Sequence, residues 1–276
     1  MHAGESIQQL IAFVTAHSRL LVLTGAGVST DSGIPDYRDE NGNWKVKQPI
    51  QGADFINDEQ VRKRYWARSL IGWSNFARAA PNATHRALAA LEELGFVQHL
   101  ITQNVDGLHQ RAGSRGVTDL HGRLDRVICL SCGALMPRAA LQQQLELRNP
   151  DFTGQRAQPA PDGDALLERM DYARLELVDC HHCGGTLKPD VVFFGENVPA
   201  ERVRFSMRRL QSANALLVVG SSLMVFSGFR FCLEAQRLGL PIGAVNLGRT
   251  RADGMLALKV SGSCTALLPA LVQHLG

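Results

Sequence analysis

The sequence has 276 residues, of which 45% are hydrophobic and 20% are charged, and its formal net charge is +3. This is enough apolar material for one large domain, or for a main domain with a smaller one. The slight, dispersed positive charge argues against a nucleic-acid-binding protein, which normally carries a concentrated basic face. No apolar run reaches the roughly 18–20 residues of a membrane span, and the N-terminus lacks a signal- or transit-peptide pattern. We expect a cytoplasmic protein without a nucleic-acid or membrane partner.

The first predicted elements are a helix and a strand that ends in a glycine loop. Apolar residues between Ile7 and Val14 recur on one helical face, which predicts a helix beginning near Ser6. Residues 20–23 predict a buried strand, and Gly25-Ala26-Gly27 follows it. Nucleotide phosphates usually bind at such a strand end. The dinucleotide fingerprint is incomplete, because Thr30 stands where its third glycine should be, so this loop alone is a weak signal.

Later strands follow the same pattern of an apolar run that ends in small or polar residues. Helical stretches separate these strands, as in an α/β doubly wound, Rossmann-like parallel sheet whose ligands lie along the carboxyl edge. The polar run 103–106 is therefore expected to line a crevice. The predicted strands are residues 96–101, 216–219 and 241–245, and the predicted helices are residues 84–94, 203–211 and 229–238.

Two stretches break this alternation of strands and helices. Residues 45–83, rich in aromatic and basic side chains, predict a helical insertion, and residues 126–187 hold four cysteines and a Pro- and Gly-rich loop. We expect these stretches to form a small zinc-binding and helical domain. The Rossmann-like domain would comprise residues 1–44, 84–125 and 188–276, with a ligand cleft between the two domains.

Four cysteines form two Cys-x-x-Cys pairs, Cys129 with Cys132 and Cys180 with Cys183. Two such pairs complete a tetrahedral, all-thiolate zinc site, which has no open position for water and is structural. Disulfides are disfavoured in a reducing cytoplasm, and a redox centre would need only one pair. We therefore predict one structural Zn²⁺ per chain. The other two cysteines are expected in the core.

Short motifs spread over most of the chain carry a family resemblance. They are Gly-Ala-Gly-Val-Ser (25–29), Gly-Ile-Pro-Asp-Tyr-Arg (33–38), Gln-Asn-Val-Asp (103–106), Leu-His-Gly (120–122), the four cysteines, Val-Val-Phe-Phe-Gly-Glu (191–196), Gly-Ser-Ser (220–222) and Asn-Leu-Gly (246–248). In this order they resemble the sirtuins, a family of NAD-dependent protein deacylases. The class II branch is the most similar, on the segments 36–37, 65–68, 160–164 and 187–192.

The resemblance implies a reaction in which an acyl-lysine carbonyl oxygen attacks C1′ of the nicotinamide ribose. Nicotinamide leaves, a base deprotonates a ribose hydroxyl, and the products are free lysine, nicotinamide and an acyl-ADP-ribose. His121 matches the family's base, because an imidazole is neutral near pH 7 and can accept this proton. A lone histidine is more often structural. Asn104 matches a second catalytic residue, which positions the ribose or a water.

The resemblance also assigns the NAD contacts. Asp106 would hold the nicotinamide carboxamide and Gln103 the ribose, although helix capping is the plain alternative for such residues. Tyr37 matches an aromatic gate beside the nicotinamide ribose. Backbone N–H groups of the glycine loop would bind the diphosphate. The implied cofactor-binding set is Gly25, Ala26, Gly27, Ile34, Asp36, Tyr37, Arg38, Gln103, Asn104, Asp106, Gly220, Ser221, Ser222, Asn246, Leu247, Gly248 and Cys264.

The protein substrate is expected to bind as an added strand, through backbone pairing with two edges. The resemblance gives these edges as Phe193-Phe194-Gly195-Glu196 and Met224-Val225, the first of which could equally be an ordinary buried strand. Tyr65 and Arg68 resemble the pair with which the class III branch binds acidic acyl groups. A phenol and a guanidinium can hold a carboxylate, but Tyr65 could also be packing and Arg68 a surface charge.

The predicted function is NAD-dependent removal of acyl groups from protein lysines. A mono-ADP-ribosyltransferase, or a deacylase for long or acidic acyl chains, would use the same residues. A dehydrogenase is disfavoured by the missing third glycine and the lack of a hydride-acceptor site. A zinc-bearing nucleic-acid module is disfavoured by the weak positive charge.

Overall fold

The computed structural model describes residues 3–45, 49–153, 158–159, 165–166 and 171–276. None of the helices in these ranges is long and apolar enough to cross a membrane. The predicted Pro- and Gly-rich loop, residues 148–163, lies partly outside these ranges, and the class II-like segment 160–164 lies wholly outside them. The helices are α1 (Ala3–Ala16), α2 (Gly52–Asn57), α3 (Glu59–Arg78), α4 (Ala83–Glu93), α5 (Leu108–Arg111), α6 (Arg138–Arg148), α7 (Ala200–Gln211), α8 (Phe226–Arg237) and α9 (Cys264–Leu275).

A six-stranded parallel sheet forms the centre of the molecule, in the order β11-β10-β9-β1-β2-β3. Every residue of β1 and β9 is buried, which explains why these strands are continuous apolar runs without alternation. The strands of this sheet are β1 (Leu20–Thr24), β2 (Val97–Thr102), β3 (Val117–Asp119), β9 (Ala215–Val219), β10 (Ile242–Val245) and β11 (Leu258–Val260).

Two hydrophobic clusters cover the two faces of this sheet. Helices α1, α4 and α9 pack on one face around Leu10, Leu88 and Leu268. Helices α7 and α8 pack on the other around Leu210 and Phe231. This is the doubly wound arrangement, so the predicted fold class is confirmed.

A second, antiparallel sheet has the order β5-β4-β8. With α2, α3 and α6 it encloses a separate core that includes Phe55, Tyr65, Trp66 and Leu141. The predicted domain boundaries at residues 125 and 188 fall inside strands of this sheet, so the division of domains stays a prediction. The remaining strands are β4 (Gly122–Cys129), β5 (Leu135–Pro137), β6 (Gln158–Pro159), β7 (Ala165–Leu166) and β8 (Leu187–Val191).

Candidate active site

A cavity of about 640 Å³ opens where the parallel strands end. Its lining comes from the segments directly after β1, β2, β9 and β10, and from residues of the second core such as Ile50, Tyr65 and Phe193. The polar run after β2 contributes Gln103, Asn104 and Asp106 to this lining. The carboxyl edge therefore gathers the predicted polar residues, as parallel-sheet geometry requires.

Two glycines bring the ends of β1 and β9 into close contact. A Cβ atom on Gly25 would lie 2.7 Å from the Cβ of Ser221, and one on Gly27 would lie 2.9 Å from the carbonyl oxygen of Gly220. Gly220 itself has φ 59°, a conformation that favours glycine. Any side chain at Gly25 or Gly27 would collide with the segment after β9 and push the two strand ends apart.

Two backbone N–H groups of this loop form hydrogen bonds within the protein, whereas they were predicted to bind a diphosphate. Gly25 N–H donates to the carbonyl of Val219 at 3.3 Å, and Gly27 N–H donates to the carbonyl of Gly220 at 2.9 Å. Both donors are therefore used inside the protein, which corrects the expectation that they point at a ligand. Ala26 begins a one-turn helix, Ala26–Val28, and the first N–H groups of a helix lack intrahelical partners. Ala26 thus keeps the donor role.

Two hydrogen bonds orient the imidazole of His121. Nδ1 lies 2.8 Å from the carbonyl oxygen of Gln103, and Nε2 lies 2.7 Å from Oγ of Ser227. Because a carbonyl can only accept, Nδ1 carries the proton and Nε2 keeps its lone pair. Burial, together with the charges of Arg202 and Arg230 and against the hydrogen bond to Gln103, lowers the pKa of His121 from 6.5 to about 4. The imidazole is therefore neutral at pH 7.

Asp106 and Asn104 are joined through Ser29. The Ser29 hydroxyl donates to Asp106 Oδ2 at 2.7 Å, and Asn104 Nδ2 donates to Ser29 Oγ at 3.0 Å and to the carbonyl of Gly25 at 3.0 Å. Asp106 Oδ1 accepts the N–H of Leu108, the first residue of α5, at 2.9 Å, although the N-cap of that helix is Gly107. Burial raises the pKa of Asp106.

The loop that carries Asp36, Tyr37 and Arg38 forms part of the cavity lining. Asp36 forms an ion pair with Lys45 at 2.6 Å, and the Arg38 guanidinium lies 4.0 Å from the centre of the Trp44 ring. The Tyr37 ring is 6.3 Å from the ring of Phe194. This aromatic contact links the predicted gate to the predicted peptide edge.

The residues predicted to contact the adenosine half of NAD also line the cavity. Ser221 Oγ donates to Oε1 of Gln103 at 2.7 Å, and Asn246 Nδ2 donates to the carbonyl of Gly248 at 3.0 Å. Burial raises the pKa of Cys264 to about 12, so this thiol stays protonated. Several residues predicted to bind the cofactor line the cavity here: Ile34, Gly220, Ser221, Ser222, Asn246, Leu247, Gly248 and Cys264.

The predicted substrate residues divide into two groups. Those that line the cavity are Tyr65, Phe193, Phe194, Met224 and Val225, whereas Arg68, Gly195 and Glu196 are not part of the lining. Tyr65 is only 2% exposed, and its ring packs 5.4 Å from that of Phe193. The cavity lining therefore contains Tyr65 but not Arg68, and a joint role of the two side chains in binding an acyl carboxylate stays a prediction.

The four predicted zinc ligands converge at one point. The Sγ atoms of Cys129, Cys132, Cys180 and Cys183 all lie within 4.8 Å of one another. Each pair is turned by a left-handed glycine, Gly133 with φ 73° and Gly184 with φ 72°. Four converging thiolates fit a tetrahedral zinc ion. None of the four lines the cavity, so this metal site is structural.

Three residues of this site were not predicted from the sequence: Ser29, Ser227 and Trp44. Ser29 stands inside the Gly-Ala-Gly-Val-Ser motif, so its position next to the glycine loop was an available signal. Ser227 contacts His121 across 106 positions of sequence, and no local pattern could have revealed that contact. His109, three residues after Asp106, is fully buried, and its ring forms a hydrogen bond with the Thr24 hydroxyl instead of lining the cavity.

Comparisons with known proteins agree with this geometry. The Sir2 family model matches residues 25–227. An NAD-dependent protein deacetylase of Xanthomonas campestris pv. campestris (strain 8004) is 57% identical, over 98% of this chain and 91% of its own length. The human NAD-dependent protein lipoamidase sirtuin-4, mitochondrial, is 47% identical, over 97% and 86% respectively. A solved complex of Sir2 with a p53 peptide and NAD+ matches with TM-score 0.77 at 29% identity, covering 97% of this chain and 98% of that chain. The chain belongs to the Sir2 family, the sirtuins.

Proposed function

We propose that the chain is an NAD-dependent protein-lysine deacylase that releases nicotinamide and an acyl-ADP-ribose. The observation that carries the proposal is the neutral imidazole of His121, oriented through Gln103 and Ser227 at a cavity built on a glycine loop. The names of the relatives, NAD-dependent protein deacetylases, support the same activity. Their similarity extends over nearly the whole chain.

The cavity fits a dinucleotide. Gly25 and Gly27 let the ends of β1 and β9 approach each other at the cavity, and the Ala26 N–H would donate to a diphosphate oxygen. Asp106, which lines the cavity, would accept a hydrogen bond from the NH2 group of a carboxamide. When bound, NAD supplies an anomeric carbon from which nicotinamide is a good leaving group. Asn246 and Ser221 would hold the adenosine half.

His121 acts as the general base in this proposal. Its Nδ1 is committed to the Gln103 carbonyl, so Nε2 is the atom that accepts a proton from a ribose hydroxyl. Ser227 holds Nε2 in the free protein, and the ribose hydroxyl would replace that bond. Asn104, fixed by Ser29 and Gly25, would orient the ribose or a water.

The acyl-lysine would enter between the two edges at Phe193–Phe194 and Met224–Val225. The wall that its acyl chain meets is apolar, since Ile50, Tyr65 and Phe193 all line the cavity. We infer that extended apolar acyl chains fit better than carboxylated ones. The name of the human relative, a protein lipoamidase, agrees with that preference.

Nicotinamide release from NAD, with and without an acyl-lysine peptide, tests the proposal. A deacylase should release nicotinamide only with the acylated peptide and should produce the unmodified lysine in equal amount. A dehydrogenase would form NADH, and a mono-ADP-ribosyltransferase would leave ADP-ribose on protein. Either of these products without deacylated peptide would overturn the proposed function.

A further inference from the structure

A buried lysine lies directly behind the peptide edge. Lys188, in β8, pairs with Ile128 of β4, and its side chain is only 7% exposed. The ammonium group forms an ion pair with Glu196 Oε2 at 3.0 Å and donates to the carbonyl of Val191. It also lies 4.4 Å from the centre of the Phe193 ring, within the range of a cation–π contact.

Glu196, at the end of the segment 191–196, forms hydrogen bonds back to Phe193. Its Oε2 accepts the backbone N–H of Phe193 at 2.8 Å, and Glu196 N–H returns to the carbonyl of Phe193 at 3.1 Å. The turn requires Gly195, whose φ is 81°. One carboxylate therefore bonds both the lysine ammonium and the backbone of the residue that lines the cavity.

Phe194, the next residue, is held by a hydrogen bond from helix α2. Gly52 N–H, at the start of α2, donates to the carbonyl of Phe194 at 2.8 Å. A Cβ atom on Gly52 would lie 2.7 Å from the Glu196 carboxyl carbon, so α2 packs tightly against this carboxylate. The segment 191–196 is thus wrapped around a buried charge, and a buried charge is costly to leave without its partner.

We propose that Lys188 and Glu196 are positioning residues that set the peptide edge and the acyl wall at Phe193 and Phe194. The inference rests on the proposed function and assigns Glu196 a role behind the cleft instead of in it. The Phe193 ring packs 5.4 Å from that of Tyr65, and the Phe194 ring lies 5.6 Å from that of Trp44. A displaced 191–196 segment would change both walls.

The decisive variant is Lys188→Met combined with Glu196→Gln. It removes both charges together, so neither is left buried alone, and the glutamine oxygen can still accept the Phe193 N–H. We expect the peptide KM to rise by about tenfold, while the NAD KM stays within about twofold. Lys188→Arg, which keeps the charge, should retain most of the peptide affinity. The matched control is Arg126→Met, which removes an ion pair to Asp190 on the same strand and should change neither constant.

Binding of a fluorescent acyl-lysine peptide, followed by anisotropy with ADP-ribose present, separates this inference from the proposed function. Weaker peptide binding by the folded double variant supports the positioning role even if the wild type releases no nicotinamide. A double variant with wild-type peptide affinity would show that the ion pair only stabilises the fold. Equal losses of peptide and NAD affinity would also overturn the proposal, because they indicate general disorder of the site.

Discussion

Burial controls the protonation state of the candidate base, His121. Its pKa falls from 6.5 to about 4, so the neutral form persists into mildly acidic solution. Because a general base works only when it is deprotonated, the acidic limb of the kcat/KM profile should lie clearly below pH 6.5. Initial rates between neutral and acidic pH measure this limb. A limb at or above the ordinary histidine pKa would contradict the buried, neutral imidazole.

Replacing this imidazole separates catalysis from binding. His121→Ala should lower deacylation by about 10²–10⁴-fold, the usual contribution of a general base. NAD binding and melting temperature should change little, since the glycine loop and Asp106 remain. Ser227→Ala is the matched comparison, because it removes the hydroxyl next to Nε2 and leaves the imidazole in place. Near-normal turnover by folded His121→Ala would exclude His121 as the base.

At the residue scale, the sequence predicted those site residues that directly follow the end of a strand. Gln103, Asn104 and Asp106 were predictable as lining residues because the carboxyl ends of parallel strands share one edge. Contacts between distant segments were not predictable. The Ser227 bond to His121 and the Lys188–Glu196 pair depend on how β4, β8 and α8 are placed.

Two of the predicted zinc ligands, Cys129 and Cys180, belong to the same hydrophobic core as Tyr65. Cys132→Ala should lose the metal and lower the melting temperature together, because metal binding contributes directly to folding in such sites. Elemental analysis should give one zinc per wild-type chain. The control is His182→Ala, an exposed residue between two ligands, which should keep its zinc. Unchanged metal content in Cys132→Ala would contradict the four-cysteine site.

Substitution of Arg68, in helix α3, tests the preference for the acyl group. Because Arg68 is not part of the cavity lining, Arg68→Met should affect acetyl-, succinyl- and lipoyl-lysine peptides alike, and the lipoyl peptide should be turned over better than the succinyl one. If Arg68 instead binds the carboxylate, the variant should lose succinyl turnover by about 1.5–3 kcal/mol and spare acetyl turnover. Competition among the three peptides, measured by mass spectrometry, distinguishes these outcomes.

The elements that sequence predicted well are the long or strongly apolar ones. The central strands β1, β2, β9 and β10 begin and end within one residue of the predicted ranges, because a doubly buried strand needs a continuous apolar run. The three-residue strands β3 and β11 carry too short a pattern to identify. Helix α9 also escaped prediction, since Pro269 lies inside it and proline normally interrupts a helix.

At the scale of the whole molecule, buried histidines link stability to pH. Burial lowers the pKa of His85, His99 and His121 to about 4 and that of His109 to about 3, from 6.5. The unfolded chain binds more protons than the folded one between these values. Their contribution to stability is therefore complete above the unfolded pKa and is lost as the pH falls toward the folded values.

Urea unfolding, with zinc in excess, measures this dependence. The midpoint should fall as the pH is lowered from about 7 to about 5, and His99→Gln should make that fall smaller. His99 is the suitable position because its described side-chain contacts, a hydrogen bond with the Thr118 hydroxyl at 2.8 Å and a ring contact with Phe205, do not involve residues of the cavity lining. A midpoint that is flat across this range would contradict the neutral, buried state of the four histidines.

The proposed reaction transfers an acyl group from a protein lysine to ADP-ribose. Mass spectrometry of a reaction with NAD and a lipoyl- or acetyl-lysine peptide tests it most directly. We predict acyl-ADP-ribose, nicotinamide and free-lysine peptide in equal amounts, and none of the three with His121→Ala above a small residual rate. Deacylated peptide accompanied by a free carboxylic acid and unconsumed NAD would contradict the account.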